Sequence, residues 1–279
     1  MKKRLLLLVS FWIVTNNVTG SFNCIDSALA PTMTEAMILC NSVNEIVTKT
    51  YPAEVLDLLT WKVLLPIGEK KAPIEITHPT LANYFIEPYF KLSPSGKCVV
   101  FNANVGGVTT PLSQFPRSEL REMTNNGMDR ASWSTAVGKH TMTSTQAITH
   151  LPKVKPEVSV IQIHDPLHDI LMVRLVRRKL YVKGNNPLAK TSGNPIVYGV
   201  LDHNYILGTF FKIKIVVESD LIQVFYNNML HPAVTFSLPV TINDCYFKAG
   251  AYTLSNVSKG DSPTAYGESV FTELSVTHE

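Results

Sequence analysis

The sequence is poor in charged residues and in motifs that bind metals. Charged residues make up only 17% of the 279 residues, too few for a disordered chain, a coiled coil or a highly charged tail. There is no Cys-x-x-Cys pair and no His/Cys cluster at zinc-ligand spacing. No stretch after residue 20 approaches about 18 uninterrupted apolar residues, the minimum for a membrane span. We therefore expect no metal and no membrane attachment of the processed chain.

The first 20 residues have the pattern of a secretory signal peptide. Lys2, Lys3 and Arg4 precede an apolar run over 5–14, and the segment ends on Val18-Thr19-Gly20. A charged start, a short apolar run and small residues at the exit are typical of a cleaved signal. We predict cleavage after Gly20 and secretion to the extracellular space.

The net charge changes when this segment is removed. The whole chain has 25 Lys and Arg against 22 Asp and Glu, a formal charge of +3. The first 20 residues hold three of the basic residues and none of the acidic ones. The remaining chain therefore carries 22 of each sign, which removes the support for a nucleic-acid partner that a basic pI would give.

Four cysteines remain after the predicted cleavage. An even number in an exported chain favours disulfides. Cys24 and Cys40 flank one short segment, so we predict that they pair and that Cys98 pairs with Cys245; the alternative is that some of them are buried thiols. Asn256-Val257-Ser258 is a possible glycosylation site.

The chain divides into an N-terminal extension, 21–54, and one β-rich domain, 55–279. Thr32 and Glu35 have the spacing of a capping box, which predicts a short helix over 31–49, and a second helical turn is predicted over 52–59. Beyond these the sequence predicts an all-β sandwich or barrel. The predicted strands are 97–102, 117–123, 140–150, 157–164, 170–176, 179–183, 210–218, 221–226, 246–253 and 268–277.

Three of these strands carry unusual polar faces. Because side chains alternate along a strand, every second residue lies on the same face. In these strands one face carries charged, amide, imidazole or phenol side chains in place of ordinary solvent-exposed residues. The three sets are Arg117, Glu119 and Arg121; Gln162 and His164; and Tyr246, Lys248, Gly250 and Tyr252. Each set alone could be a solvated face or an exposed ion-pair ladder. If the strands are neighbours, together they form a patch suited to a chain of anionic sugars.

The same three segments resemble the signature motifs of polysaccharide lyase family 7, the alginate lyases. The motifs are Arg117-Ser118-Glu119-Leu120-Arg121, Gln162-Ile163-His164 and Tyr246-Phe247-Lys248-Ala249-Gly250-Ala251-Tyr252, in the family's order. Trp61-Lys62-Val63-Leu64-Leu65-Pro66 resembles the family's opening strand, and the resemblance covers roughly 55–279. After Tyr252 the family often continues Asn-Gln, whereas this chain has Thr253 and Leu254.

This resemblance implies a β-jelly roll with a cleft that binds alginate and cleaves it by β-elimination. It assigns the catalytic roles to Tyr252 and His164 and the neutralisation of the substrate carboxylate to Gln162 and Arg117. Binding substrate, or holding these groups in place, is expected of Glu119, Arg121, Lys248 and Tyr246. Ile163, in the middle of the second motif, indicates guluronate-containing or mixed alginate. No cofactor is expected, and we expect a monomer.

Residue chemistry agrees with these roles. An Arg fork matches a carboxylate, His titrates near neutrality and can act as a base, and a protonated Tyr can donate to the leaving O4. For mannuronate the C5 proton and O4 lie on the same side, so Tyr252 can serve both roles. For guluronate they lie on opposite sides, which favours His164 as base and Tyr252 as acid.

Three other functions compete with this one. A retaining glycosidase needs two carboxylates about 5.5 Å apart, but Glu119 and Glu122 fall on opposite faces of one strand. A non-catalytic alginate-binding protein would not need Arg117, Gln162, His164 and Tyr252 together. A lyase for another polyuronate, such as glucuronan, would use the same chemistry on a different substrate.

Overall fold

The computed structural model describes residues 49–185, 188 and 195–279, which form sixteen strands and three single turns of 3-10 helix. The strands are β1 (Trp61–Glu69), β2 (Ala72–Ile76), β3 (Phe90–Leu92), β4 (Val99–Asn104), β5 (Arg117–Thr124), β6 (Asp129–Arg130), β7 (Lys139–His150), β8 (Glu157–His164), β9 (Asp169–Val176), β10 (Lys179–Asn185), β11 (Pro195–Asp202), β12 (Phe211–Glu218), β13 (Leu221–Tyr226), β14 (Val234–Ser237), β15 (Tyr246–Thr253) and β16 (Tyr266–His278). The helical turns are Pro52–Glu54, Thr80–Asn83 and Val257–Lys259.

Two antiparallel sheets pack face to face. One has the order β11-β10-β9-β8-β15-β5-β1-β2, with β6 paired to β5, and the other has the order β14-β13-β12-β7-β16-β4-β3. Strands that are distant in sequence are neighbours in both sheets, as in a jelly roll. The structure thus confirms the predicted all-β sandwich.

Alternating hydrophobicity explains the sandwich. In β12, Ile213, Ile215 and Val217 are completely buried, whereas Lys212 and Lys214 between them are partly exposed. In β15, Phe247, Ala249 and Ala251 are the buried apolar set. Burying one such face of each sheet against the other removes about 1.5–3 kcal/mol of unfavourable hydration per large side chain.

Aromatic side chains fill the space between the sheets. Phe101 of β4 lies 5.3 Å from Phe90 and 5.4 Å from Phe271 between ring centroids, and Phe247 of β15 lies 4.9 Å from Trp133. Because the inner side chains of β15 are fixed in this way, the alternate side chains of the same strand are directed to the outer face of the nine-stranded sheet.

Of the two predicted helical segments, the first is not tested by the structure and the second is shorter than predicted. The helix expected over 31–49 lies almost entirely outside the described residues. The second turn is a 3-10 helix over Pro52–Glu54 only, because Leu56 and Leu58 are buried in the core two residues apart, as in extended chain. No described helix is long and apolar enough to cross a membrane.

The predicted pairing of Cys98 with Cys245 is wrong. Cys245 is a free, buried thiol whose Sγ lies 3.7 Å from the carbonyl oxygen of Ile242. Burial, followed by nearby Asp165, Asp244 and Asp220, raises the pKa of the Cys245 thiol to about 12. It behaves as a small apolar core residue, which is the alternative to a disulfide that the sequence left open. The predicted pair Cys24–Cys40 lies outside the described residues.

Candidate active site

The three strands with polar faces are neighbours in the nine-stranded sheet. β15 lies between β5 and β8. The register places Tyr252 opposite Arg117, Lys248 opposite both Arg121 and Gln162, and Tyr246 opposite His164. The adjacency that the sequence could only suppose is therefore present.

A cavity of about 550 Å³ lies over this patch. Seven of the eight predicted site residues line it, namely Arg117, Glu119, Arg121, His164, Tyr246, Lys248 and Tyr252. Residues that the sequence reasoning did not single out, among them Ser113 and Asp169, also line it. Gln162 is the predicted residue that does not.

Glu119 is the centre of the polar network under the cavity. Its side chain is only 1% exposed, and it accepts hydrogen bonds from Lys248 Nζ and Gln162 Nε2. Arg117 Nη1 lies 3.4 Å from Glu119 Oε2. A buried carboxylate requires such partners. Of the two roles expected for Glu119, this geometry favours holding the other groups in place.

Gln162 is completely buried, and its amide donates to Glu119. Its Oε1 has no hydrogen-bond partner among the described residues. In this conformation Gln162 therefore fixes Glu119, and its predicted direct contact with a substrate carboxylate stays a prediction.

Arg117 is held against the ring of Tyr252. Its Cζ lies 3.7 Å from the ring centroid, a cation–π geometry. Burial lowers the pKa of Arg117, but Tyr252, Glu119 and Asp169 outweigh burial and leave that pKa raised. The guanidinium therefore stays charged at the cavity.

The phenol of Tyr252 is 7% exposed, and its hydroxyl lies 3.0 Å from Ser113 Oγ. Burial raises the pKa of Tyr252, while Arg117 and Ser113 act in the opposite direction. Tyr252 therefore starts protonated and is equipped to donate a proton. The alternation of side chains along strands could not identify Ser113, because Ser113 lies in the loop before β5.

His164 lies at the end of β8 between several polar groups. Its Nε2 is 3.1 Å from Asp169 Oδ1, and its Nδ1 bonds to the backbone oxygen of Asp165. The Tyr246 ring stacks on the imidazole at 5.5 Å, with the hydroxyl 3.3 Å from Nδ1. The two His and two Asp within 164–169 are the sequence feature that could have indicated this cluster.

Arg121 lies on the Tyr246 ring, whose other contact is His164. Its Cζ lies 3.9 Å from the Tyr246 ring centroid, and its Nη1 donates to the Glu122 backbone oxygen at 2.7 Å. Burial raises the pKa of Tyr246, while Arg121 lowers it by its charge. Arg121 and Tyr246 therefore form a stacked pair that borders the cavity.

Thr253 and Leu254, which follow Tyr252 where the family often has Asn-Gln, both have contacts inside the protein. The Thr253 hydroxyl donates to the Ala103 backbone oxygen at 2.8 Å, in the interior. Leu254 packs with Tyr252, Met172 and Phe115 in a small apolar cluster. An apolar side chain thus stands where the family often has an amide.

Two other predictions concern ligands. Asn256 is partly exposed, and its Nδ2, the atom that a glycan would modify, donates to the Gln114 backbone oxygen at 3.1 Å. Glycosylation stays a prediction. In the part of the chain that the structure describes, no three His, Cys, Asp or Glu residues cluster as a metal site.

Comparison with known proteins gives one family. A family model described as alginate lyase matches residues 56–278. The solved structure of alginate lyase AlgAT5 from polysaccharide lyase family 7 is 46% identical, with a TM-score of 0.76, over 83% of this chain and 100% of that one.

Two further solved structures agree with this match. The alginate lyase from Corynebacterium sp. is 41% identical, with a TM-score of 0.75, over 82% of this chain and 99% of that one. The marine family-7 alginate lyase AlyA1 from Zobellia galactanivorans is 26% identical, with a TM-score of 0.65, over 83% and 100%. A comparison with curated proteins found no match.

Proposed function

The chain belongs to the alginate lyase family and is a polysaccharide lyase, and on that premise we propose that it cleaves guluronate-containing or mixed alginate by β-elimination. The reaction removes the C5 proton of a uronate and expels the 4-O-linked sugar. The electron pair of the C5–H bond forms the C4–C5 double bond as the C4–O4 bond breaks. The products are one chain with an unsaturated uronate end and one with a new hydroxyl.

The observation that carries the proposal is the pairing of Arg117 with Tyr252 beside the cavity. A guanidinium 3.7 Å from the phenol ring can neutralise a uronate carboxylate next to the acid that protonates O4. Neutralising the carboxylate stabilises the charge that develops there as the C5 proton leaves, so Arg117 acts in the transition state. Lys248, held by Glu119, supplies a second cation.

The proposed guluronate preference rests on the second motif. Ile163 is completely buried and pairs with Phe247 in the register of β8 with β15. It therefore acts indirectly, through the position of the strand that carries His164. For guluronate, His164 takes the C5 proton from one side while Tyr252 donates to O4 from the other.

The glycosidase alternative loses support in the structure. Glu122 is 2% exposed and accepts hydrogen bonds from Trp133 Nε1 and the Phe247 backbone nitrogen. It therefore lies in the interior and leaves Glu119 without a partner carboxylate on the same strand. Lysis of glucuronan and binding without cleavage remain the alternatives that an experiment must separate.

The experiment offers polyguluronate, polymannuronate and glucuronan separately to the purified chain and follows the ultraviolet absorbance of the unsaturated product, with product masses as a second measure. We expect the fastest rise on polyguluronate. A faster rise on glucuronan would overturn the substrate, and binding without a rise would identify a non-cleaving protein. New reducing ends without the double bond would indicate hydrolysis.

We also propose that the enzyme is secreted as a monomer after cleavage following Gly20. The basic and apolar segments over 1–20 support export. Expression in a secreting host, followed by mass measurement of the protein from the medium and light scattering, tests both points. Full-length protein retained in cells, or a dimer mass, would contradict them.

A further inference from the structure

The turn between β8 and β9 brings a carboxylate to the imidazole of His164. The antiparallel register pairs His164 with Asp169 across this turn. Asp165 pins the turn, because its carboxylate accepts hydrogen bonds from the backbone nitrogens of Leu167 and His168. The arrangement is thus built by the hairpin and does not depend on a flexible side chain reaching from elsewhere.

Both ring nitrogens of His164 face hydrogen-bond acceptors. Nδ1 bonds to the backbone oxygen of Asp165, which can only accept, so Nδ1 carries a hydrogen. Nε2 lies 3.1 Å from the carboxylate of Asp169, which also only accepts when ionised. A hydrogen on Nε2 would bridge the imidazole and this carboxylate, whereas a lone pair on Nε2 would face the carboxylate unfavourably.

The charged neighbours keep Asp169 ionised. Burial raises the pKa of Asp169, but the hydrogen bond and charge of His164, with Lys248 and Arg117, outweigh burial and lower it. The other groups facing His164 are the hydroxyl of Tyr246 from β15 and, within the turn, Asp165, whose carboxylate is 3.1 Å from His168 Nδ1.

We propose that Asp169 is a positioning residue that holds a proton on Nε2 of His164. Nε2 must release this proton before it can take the C5 proton, so Asp169 sets the pH above which His164 can act as a base. This inference rests on the proposed function, in which His164 takes the C5 proton of guluronate. For mannuronate, where Tyr252 takes and returns the proton, Asp169 has no such influence.

The consequence is a difference between substrates in pH dependence. Cleavage of polyguluronate has an acidic limb where His164 keeps its Nε2 proton. Asp169→Asn removes the charge that holds this proton, so the limb moves to lower pH by about one unit or more. At a fixed pH well below the limb, each pH unit of this shift makes the rate of Asp169→Asn, taken relative to its own plateau, about tenfold higher than that of the wild-type enzyme. The polymannuronate profile keeps its position.

Two variants in the same hairpin serve as controls. Asp169→Glu retains the charge and leaves the limb near its original pH. Asp165→Asn removes a carboxylate that does not contact Nε2, so it should lower stability and move the limb much less than Asp169→Asn does. A purely structural role for Asp169 would lower kcat at every pH and leave the limb in place, which would overturn the proposal.

A second measurement is independent of catalysis. Titration of the His164 ring by NMR in the substrate-free wild-type chain and in Asp169→Asn reports where the Nε2 proton leaves. We expect the transition at lower pH in the variant, and coincident titrations would overturn the inference. If the wild-type chain produced no unsaturated ends from either polymer, the proposed function would fail while this titration still decided the role of Asp169.

Discussion

Lys248 combines burial with a place at the cavity, which makes its charge sensitive to pH. Burial, followed by the charge of Arg117, lowers the pKa of Lys248 to about 8, although Glu119 and Asp169 act in the opposite direction. The ammonium is charged below this pH and neutral above it. We therefore expect the KM for alginate to rise as the pH passes above about 8. The measurement is kcat and KM on both sides of that pH.

Lys248→Arg is the matched variant, because a guanidinium keeps its charge throughout this range. Its KM should rise less steeply on the alkaline side, even if its value at neutral pH is higher. A wild-type KM that stays flat across the range, or an equal rise in the variant, would contradict the role given to Lys248.

Strand periodicity predicted which residues share the polar face, but not how those residues are fixed. Seven of the eight predicted residues line the cavity, because alternation alone decides the face of a strand residue. The contacts of Ser113 and Asp169 were missed, since they depend on how a loop and a hairpin turn fold over the sheet. Burial of Gln162 was also missed, because alternation gives the face on which a residue lies and not which side chains cover it.

Gly250 explains why the third motif contains a glycine within a strand. Its φ is +145°, and a Cβ there would lie 2.5 Å from the Ser118 backbone oxygen and 2.8 Å from Glu119 Cα. The register of β15 with β8 shifts between Ala249 and Tyr252. Glycine thus lets β15 approach β5 at the point between Lys248 and Tyr252.

Gly250→Ala should therefore affect both stability and activity. We expect a loss of about 1–3 kcal/mol in the free energy of unfolding and a lower kcat, because β15 must move away from β5. Denaturant unfolding and steady-state kinetics measure these effects.

Gly260→Ala is the control for Gly250. This residue also has positive φ, +91°, but a Cβ there meets only Val154 Cγ1 at 3.6 Å. It should lose some stability and keep its kcat. A Gly250→Ala enzyme with wild-type kcat and stability would show that the close approach of β15 and β5 is not required.

The sequence predicted the central strands better than the edge strands. All ten predicted segments correspond to strands, from β4 to β16. β1 was identified only through the family resemblance, and β2, β3, β6, β11 and β14 were not predicted. They are short or, like β11, have no fully buried residue on either face, so they lack the alternation that indicates a half-buried strand. Each of them pairs with a neighbouring strand in the sheet.

At the scale of the whole molecule, a cluster of His and Glu side chains connects the two sheets. Glu122 of β5 lies 2.5 Å from His278 Nε2 of β16, and His278 Nδ1 lies 2.7 Å from His140 Nδ1 of β7. Because β5 belongs to one sheet and β7 and β16 to the other, these contacts fasten the last strand to the opposite sheet.

His278→Ala should lower the free energy of unfolding by about 1–3 kcal/mol, since it leaves the buried Glu122 carboxylate without one of its partners. Glu279→Ala is the matched control on the neighbouring residue. Its ion pair with Lys139, at 3.5 Å, is exposed, so its loss should change stability by less than about 0.5 kcal/mol. Equal effects of the two substitutions in thermal unfolding would contradict this assignment.

The net charge of the whole chain does not describe the charge at the cavity, which depends on where the basic residues lie in the fold. The chain's formal charge of +3 equals the charge of its first 20 residues. In the proposed function, attraction for a polyanion comes instead from Arg117, Arg121 and Lys248, which the folded sheet gathers at one cavity. A bulk composition could not show this, because most of the acidic residues that balance the total lie elsewhere in the chain, although Glu119 and Asp169 line the same cavity.

The account depends most directly on Tyr252 as the proton donor in an elimination. The decisive measurement is the rate at which Tyr252→Phe forms unsaturated uronate from alginate, compared with the wild-type enzyme. Tyr198→Phe is the control for the loss of a phenol hydroxyl. The Tyr198 ring stacks on Phe236 with 3.6 Å between the ring centroids, and Tyr198 does not line the cavity. We predict that kcat of Tyr252→Phe falls by about 10²–10⁴-fold with thermal unfolding little changed, while the control keeps its rate. Elimination by Tyr252→Phe at the wild-type rate would contradict the mechanism.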